Sequence, residues 1–213
     1  ITILDTFVKA LKSGLGISAL SDAFDVMYIL GGETEEASLR NLVKRSHDAT
    51  PVNSPTWTQY EGFQGDGTSS YIKTNYIHGL DKVISGLNST SLGIYSRLKG
   101  SILGVDIGYR VGYANDTTQV YCYDASRQFQ GIINADIAGA GFITQSLELM
   151  VGMYIVSRVS ENEINGYKSK TKFNALTYLS SNIPNLEVYI GCFNNNGNPT
   201  SYTDRQLSFA FLG

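Results

Sequence analysis

The sequence is poor in charged residues. Asp, Glu, Lys and Arg make up only 16% of its 213 residues, against about 25% in a typical soluble domain. Gly, Ser, Thr, Asn and Tyr supply the polar surface instead, and these residue types favour turns and strands. The formal net charge of −3 argues against a nucleic-acid partner, because such binding depends on an excess of positive charge that neutralises phosphates.

Histidine and cysteine are also scarce, with two of each. No HExxH motif, Gly-x-Ser-x-Gly elbow or Cys–His pair at a known spacing occurs, which removes the common hydrolase signatures. Cys122 and Cys192 are too few for a structural zinc site. The sequence leaves open whether they form a disulfide or remain buried thiols.

Long apolar runs are absent as well. No window approaches the ~20 residues that a membrane-spanning helix needs, so we expect no membrane insertion. Hydrophobic residues nevertheless make up 42% of the chain, which is enough for a packed core and argues against disorder.

The first fifty residues carry most of the helical signal. They hold 12 charged residues, against 23 in the other 163. Three helices are predicted, one with Leu4, Phe7, Val8 and Leu11 on one face, a short one from Ser18, and one from Thr34 to Arg45. We therefore divide the chain into a helical N-terminal segment, residues 1–48, that serves assembly or docking, and a main domain, residues 49–213.

Beyond Pro51 the sequence alternates short strand-like runs with turn residues, a pattern typical of a β-sandwich. The alternation within these runs predicts the inward-facing side chains, which are Phe63, Tyr71, Ile155, Ile190 and Phe209. Asn194 to Pro199 is predicted to be a long polar loop before the last strand. No fixed-period repeat is present, which disfavours a propeller or solenoid.

The stretch from Phe63 to Ile72, with glycines at positions 65 and 67 before Tyr71, resembles the entry strand of the laminin-G/concanavalin A-like jelly-roll superfamily. Residues 152–168 resemble that superfamily's long central strand and its hairpin, and residues 188–193 and 204–213 resemble its closing pair. The stretch 49–71 is similar to a group found in bacteriophage structural proteins. The resemblance implies a two-sheet antiparallel jelly roll with a short α-helical N-terminal segment, working among other virion chains as a homo-oligomer.

Aromatic and amide-rich loops supply the candidate ligand site. Sugar recognition combines a stacking ring with hydrogen bonds from Asn, Asp and Arg. The residues that fit are Trp57, Tyr60, Asn195, Tyr202, Asp204 and Arg205. A buried Trp and an ordinary polar loop are the alternative interpretation of the same residues.

Two further groups of carboxylates are candidates for catalysis or metal binding. Glu161 and Glu163 have the i, i+2 spacing that a glycosidase carboxylate pair can use, but they fall at a predicted turn, which indicates solvated charges. Asp66, Asp116 and Asp204 are carboxylates near turns that a calcium ion could use, although calcium requires 6–8 oxygen ligands. We predict no cofactor, with calcium as the candidate metal.

Together these features predict a non-enzymatic structural protein at a bacteriophage virion surface, such as a fibre, decoration or tail-associated component, with host-surface carbohydrate as its candidate ligand. The first alternative is a carbohydrate-binding module of a secreted, extracellular bacterial protein. The second, from another class, is a glycoside hydrolase or lyase, for which a converging acid pair in a cleft would be the decisive feature.

Overall fold

The computed structural model describes residues 3–112, 116–122, 128–136, 142–146 and 151–213. Its helices are α1 (Ile3–Leu15), α2 (Glu35–Ser38) and α3 (His78–Asp81). Its strands are β1 (Val26–Tyr28), β2 (Thr50–Val52), β3 (Thr56–Thr58), β4 (Gly62–Gln64), β5 (Tyr71–Ile77), β6 (Thr90–Ser96), β7 (Ile107–Arg110), β8 (Thr117–Tyr121), β9 (Gln128–Ala135), β10 (Ile143–Ser146), β11 (Gly152–Ser160), β12 (Glu163–Lys168), β13 (Thr171–Thr177), β14 (Glu187–Ile190), β15 (Phe193–Asn195), β16 (Asn198–Thr200) and β17 (Gln206–Leu212).

The strands form two sheets. The first has the order β13-β12-β11-β6-β17-β4-β3, with β1 also paired to β17, and the second has the order β10-β9-β8-β7-β14-β5-β2. Pairing is antiparallel except between β15 and β7. The predicted fold class is therefore confirmed: a mainly-β, two-sheet antiparallel sandwich with an N-terminal helix. The division at residue 48 stays a prediction.

The core between the sheets confirms part of the predicted register and corrects the rest. Phe63 and Ile190 lie in the main core as predicted. On β11 the side chains that face the core are instead Tyr154 and Val156, and both are fully buried. Ile155 and Phe209 lie on the opposite face, in a second apolar cluster.

Helix α1 explains why both faces of the first sheet are apolar. Its Val8 and Leu11 pack against the outer-face cluster that contains Phe211, and the Phe7 and Phe209 rings meet edge to face with centroids 6.0 Å apart. None of the helix's residues is fully buried. No helix in the described part of the chain is long and apolar enough to span a membrane.

The third predicted helix is much shorter than expected. Thr34 does cap α2, since its Oγ1 accepts from the Ala37 N–H, but the helix ends at Ser38. Beyond it, the Asn41 side chain accepts from the Met27 N–H and donates to the Ser46 carbonyl. Asn41 Oδ1 also accepts from the Val43 N–H two residues on, and such a local side-chain bond offers the backbone an alternative to helix. The helix predicted from Ser18 is a 3₁₀ turn, Leu20–Asp22.

The predicted polar loop at Asn194–Pro199 is a hairpin formed by β15 and β16. Asn196 and Gly197 occupy its turn with φ of 52° and 90°, the left-handed conformation that an Asn-Gly hairpin turn requires. Cys122 and Cys192 are both free, buried thiols. Tyr71 is buried too, but on the outer face of the second sheet beside Tyr189 and Cys192.

Candidate functional site

Two of the predicted ligand-binding residues, Trp57 and Tyr60, lie at the β3–β4 edge of the first sheet. The Trp57 indole is half-buried, and its Nε1 donates to the Leu30 carbonyl at 3.3 Å and to Ser38 Oγ at 3.1 Å. Trp57 therefore fastens the N-terminal segment to the sandwich. Tyr60 is 63% exposed, so its ring is accessible from solvent.

Asn195 lies on β15 of the second sheet instead, and Tyr202 follows β16 by two residues. Arg110 Nε donates to Asn195 Oδ1 at 3.2 Å, and its guanidinium carbon stands 4.6 Å from the Phe193 ring centroid. Tyr202 packs against Tyr71, with centroids 6.1 Å apart, and its hydroxyl donates to the Pro199 carbonyl. Both side chains help to hold the β15–β16 hairpin in place.

Asp204 and Arg205 have structural partners. The Asp204 carboxylate accepts from the backbone N–H of Ser101 and of Ile102, and from the Ser101 hydroxyl. Arg205 is fully buried and forms an ion pair with Asp106, so a ligand outside the protein does not reach its guanidinium. The six predicted residues are thus spread over a sheet edge, a sheet face and a buried end; ligand binding by them stays a prediction.

Four of the five carboxylates considered for catalysis and for calcium, namely Glu163, Asp66, Asp116 and Asp204, have hydrogen-bond partners. Asp66 accepts from the backbone N–H groups of its own turn, at 2.8 Å from Thr68 and from Ser69. Glu163 lies 3.6 Å from Lys172 Nζ and accepts from the Asn165 amide. Within the described residues, no group of three His, Cys, Asp or Glu side chains is arranged to hold a metal.

One open cavity stands out at the end of the sandwich where β9, β11 and β13 end. Its volume is about 510 Å³, and its lining carries a carboxylate, an amide, hydroxyls and one phenol ring. We call it the rim cavity; its lining residues are Asp136, Asn162, Thr177, Tyr178, Leu179, Ser180 and Ser181. Both its size and its mixed lining fall within the range of small-molecule sites, roughly 300–1,000 Å³.

Arg158 lies buried beside the rim cavity and bonds to the segments that line it. Only 1% of its surface is exposed, because Arg158 sits in the inward phase of β11. Its Nε donates to the Ile133 backbone carbonyl at 2.9 Å, and its Nη1 donates to the backbone carbonyls of Glu161 at 2.8 Å and Tyr178 at 3.0 Å. Burial lowers the pKa of Arg158 to about 10. Arg158 thereby ties together the three chain segments around the rim cavity.

Polar side chains also fix the cavity's outer wall. The Ser181 hydroxyl donates to Asp116 at 2.6 Å, and the Ser180 hydroxyl donates to Asn88 at 2.7 Å. The backbone of Ser181 is held as well, because its N–H donates to the Asn134 carbonyl. These residues come from four distant parts of the chain, so their spacing in the sequence could not predict that they meet. The one visible signal was the polar run that starts at Ser180.

A second polar cluster is buried below the β5–β6 loop. The Ser85 hydroxyl donates to Asp25, which leaves Ser85 Oγ to accept from His78 Nε2 at 3.0 Å. His78 Nδ1 then accepts from the Tyr109 hydroxyl at 2.7 Å, so we assign the proton to Nε2. With Nε2 donating, His78 cannot act as the base that activates Ser85, and the chain of bonds is a structural tie.

No protein-family model matches the sequence, and no curated protein matches it either. Solved structures do share the fold. Trypanosoma rangeli sialidase in complex with sialic acid is 14% identical with a TM-score of 0.53, over 88% of this chain and 30% of the sialidase. HCR/D-Sa-GBL1/C is 7% identical with a TM-score of 0.61, over 91% of this chain and 49% of that one. At such identities the likeness shows the fold alone.

These similarities correct one expectation. The sequence predicted a non-enzymatic protein, whereas the solved structures that share the fold are mostly sialidases, which are enzymes. The chain spans about a third of the sialidase's length. The enzymatic activity of the whole sialidase is therefore not carried over to this chain. The bacteriophage resemblance finds no support in these structures.

Proposed function

We propose that the chain is a carbohydrate-binding domain with a concanavalin-like jelly-roll fold, and that it holds a sugar in the rim cavity. The observation that carries this proposal is the open cavity of about 510 Å³, whose lining includes a carboxylate, an amide and hydroxyl groups. The Asn162 amide nitrogen offers donors, and the oxygens of Asp136 and Ser180 offer acceptors, for the hydroxyl groups of a sugar. The Tyr178 ring offers an apolar surface for the C–H groups of a sugar.

The fold similarity supports the same proposal. The Trypanosoma rangeli sialidase that shares the fold was solved in complex with sialic acid. A domain that spans about a third of such a protein fits a binding role within a glycan-recognising whole. The virion-surface or extracellular location and the homo-oligomeric state stay predictions.

Hydrogen bonds from Arg158 hold the chain segments beside the cavity in place, which suits binding. Arg158 is held by carbonyl groups from three segments, so the cavity needs little reordering when a ligand enters. A preorganised site loses less conformational entropy on binding, which raises affinity. Arg158 is a positioning residue, since it is too buried to touch a ligand.

The test is a glycan array, followed by titration calorimetry with the glycans that bind. We expect Asp136→Ala and Asn162→Ala to weaken binding about tenfold or more, since each removes a polar contact. Tyr60→Ala and Asn195→Ala are the matched controls, because they alter the residues predicted from sequence and leave the rim cavity intact. If the control variants lose binding and the cavity variants keep it, the binding site lies at Tyr60 or Asn195 and not in the rim cavity. If the chain binds no glycan at all, the proposal is refuted.

A further inference from the structure

The sequence contains two Asn-Gly pairs, and the fold places them in different surroundings. Asn165 and Gly166 lie within β12, which is paired with β11 on one side and with β13 on the other, and both residues are buried. Asn196 and Gly197 instead form the two-residue turn of the β15–β16 hairpin, and both are exposed. A Cβ placed on Gly197 would meet no atom within 4 Å. The second pair is therefore open to water on all sides.

An Asn-Gly pair can deamidate without an enzyme, because glycine has no side chain to hinder attack by its own nitrogen. The glycine nitrogen loses its proton and forms a bond to the Asn Cγ. The bond between Cγ and Nδ2 breaks, and the side-chain nitrogen leaves as ammonia with that proton. Water then opens the cyclic imide at one of its two carbonyls, which gives aspartate or isoaspartate. Water is the only other reactant.

Hydrogen bonds within the hairpin hold the nitrogen that would attack. The Gly197 N–H donates to Asn194 Oδ1 at 2.7 Å. Asn194 is only 2% exposed, and its Nδ2 donates to the Glu187 carbonyl at 2.7 Å, so its side chain is fixed. The Asn196 N–H donates to the Arg110 carbonyl at 2.9 Å. The Gly197 N–H must therefore leave Asn194 before it can lose its proton.

We propose that Asn196 is a site of spontaneous deamidation and that the Asn194 side chain sets the rate of the reaction. The turn lies at an exposed tip, and local openings of such a tip need much less free energy than unfolding of the sheet. Each opening releases the Gly197 nitrogen from Asn194. Asn165 stays unmodified, because its release requires β12 to separate from its neighbours. The proposal does not depend on sugar binding.

The modification changes the hairpin as well as its charge. Isoaspartate carries the main chain through its side-chain carbon, which lengthens the backbone by a methylene group. A two-residue turn fixes the register of the strands that flank it, so the longer backbone misaligns Asn195 and Asn198. Asn195 is also paired with Arg110 of β7. Deamidation therefore loosens the attachment of the hairpin to the second sheet.

The test is incubation of the full chain at mildly alkaline pH, followed by peptide mass spectrometry and by enzymatic methylation of isoaspartate. In the folded chain we expect deamidation at Asn196 and none at Asn165, and in urea we expect similar rates at both. Asn194→Ala should raise the rate at Asn196 about tenfold, the factor that corresponds to one lost hydrogen bond. The matched control is Asn198→Ala, because Asn198 flanks the turn on the other strand and is exposed. It should leave the rate unchanged.

Three outcomes overturn the proposal. Asn196 stays intact in the folded chain for as long as the reaction takes to finish in urea, or the folded chain modifies Asn165 as fast as Asn196, or Asn194→Ala and Asn198→Ala react at the same rate. Equal melting temperatures of the two variants establish that both are folded. Hydrogen exchange of the parent chain tests the role of Asn194 without any substitution. We expect the Gly197 amide to be protected, and unprotected exchange there would show that Asn194 does not hold it.

Discussion

Arg205 Nη1 lies 3.1 Å from Asp106 Oδ1, and neither side chain is exposed to solvent. Asp106 immediately precedes β7 of the second sheet, and Arg205 immediately precedes β17 of the first. The pair therefore links the two sheets at the end opposite the rim cavity. The Cys122 N–H also donates to Asp106, and Arg205 donates to Thr203, so both charges have additional hydrogen bonds.

Breaking this pair should destabilise the sandwich strongly. We expect Asp106→Asn to lower the free energy of unfolding by about 3–5 kcal/mol, because it leaves the Arg205 cation buried without its counter-charge. The double variant Asp106→Asn/Arg205→Met should be less destabilised than the single variant. Urea unfolding measures both. A single variant as stable as the parent would show that the two charges do not depend on each other.

His78 should make stability depend on pH. Burial lowers its pKa to about 3, from an ordinary value of 6.5. Between these values the unfolded chain binds a proton that the folded chain does not, so stability falls as the pH falls through this window. The expected loss from this group is about 2 kcal/mol between pH 7 and pH 5.

Urea unfolding at several pH values measures this dependence. His78→Gln should flatten it at the cost of a lower stability overall, since Ser85 and Tyr109 lose their partner. His47→Gln is the control, because His47 lies outside the buried cluster, and it should keep the slope. An unchanged slope in His78→Gln would assign the pH dependence to other groups.

The sandwich should fold without helix α1. A chain that begins at Ile17 loses only partly buried contacts, chiefly those of Val8 and Leu11. We expect it to unfold cooperatively with a stability about 1–3 kcal/mol lower, a fraction of the value for fully buried side chains. Its uncovered Phe209 and Phe211 should increase the binding of an apolar dye.

Calorimetry and dye fluorescence check the prediction for the truncated chain. Ile3→Ser is the control, because Ile3 is 90% exposed and should change neither measurement. A truncated chain that is unfolded would place residues 1–16 in the folding unit, against the domain division predicted at residue 48.

Sequence reasoning was reliable where one face of an element is apolar and weaker where both are. Phe63 and Ile190 follow a clear alternation, and their core positions were predicted. On β11 both phases are apolar, because the helix covers the outer face, so nothing local told Ile155 apart from Val156. The buried Arg158 in the inward phase made the choice harder, since an arginine normally indicates the solvent side.

The candidate site was harder to predict than the fold. The rim cavity is assembled from loops that lie far apart in sequence. No sequence motif indicates that Asp136 and Asn162 lie close together in the fold. Residues that the sequence did predict as ligand contacts, such as Trp57 and Arg205, have polar partners inside the protein. Side-chain type alone cannot distinguish a ligand contact from such an internal tie.

Strand β17 sets the order in which the protein can assemble during its synthesis. It pairs along one side with β6 and along the other with β4 and β1, so it occupies the middle of the first sheet. Residues 26–28, near one end of the sequence, therefore wait for residues 210–212 before they have a partner. Until β17 has left the ribosome, the first sheet remains split and its apolar edges stay open to chaperones or to neighbouring chains.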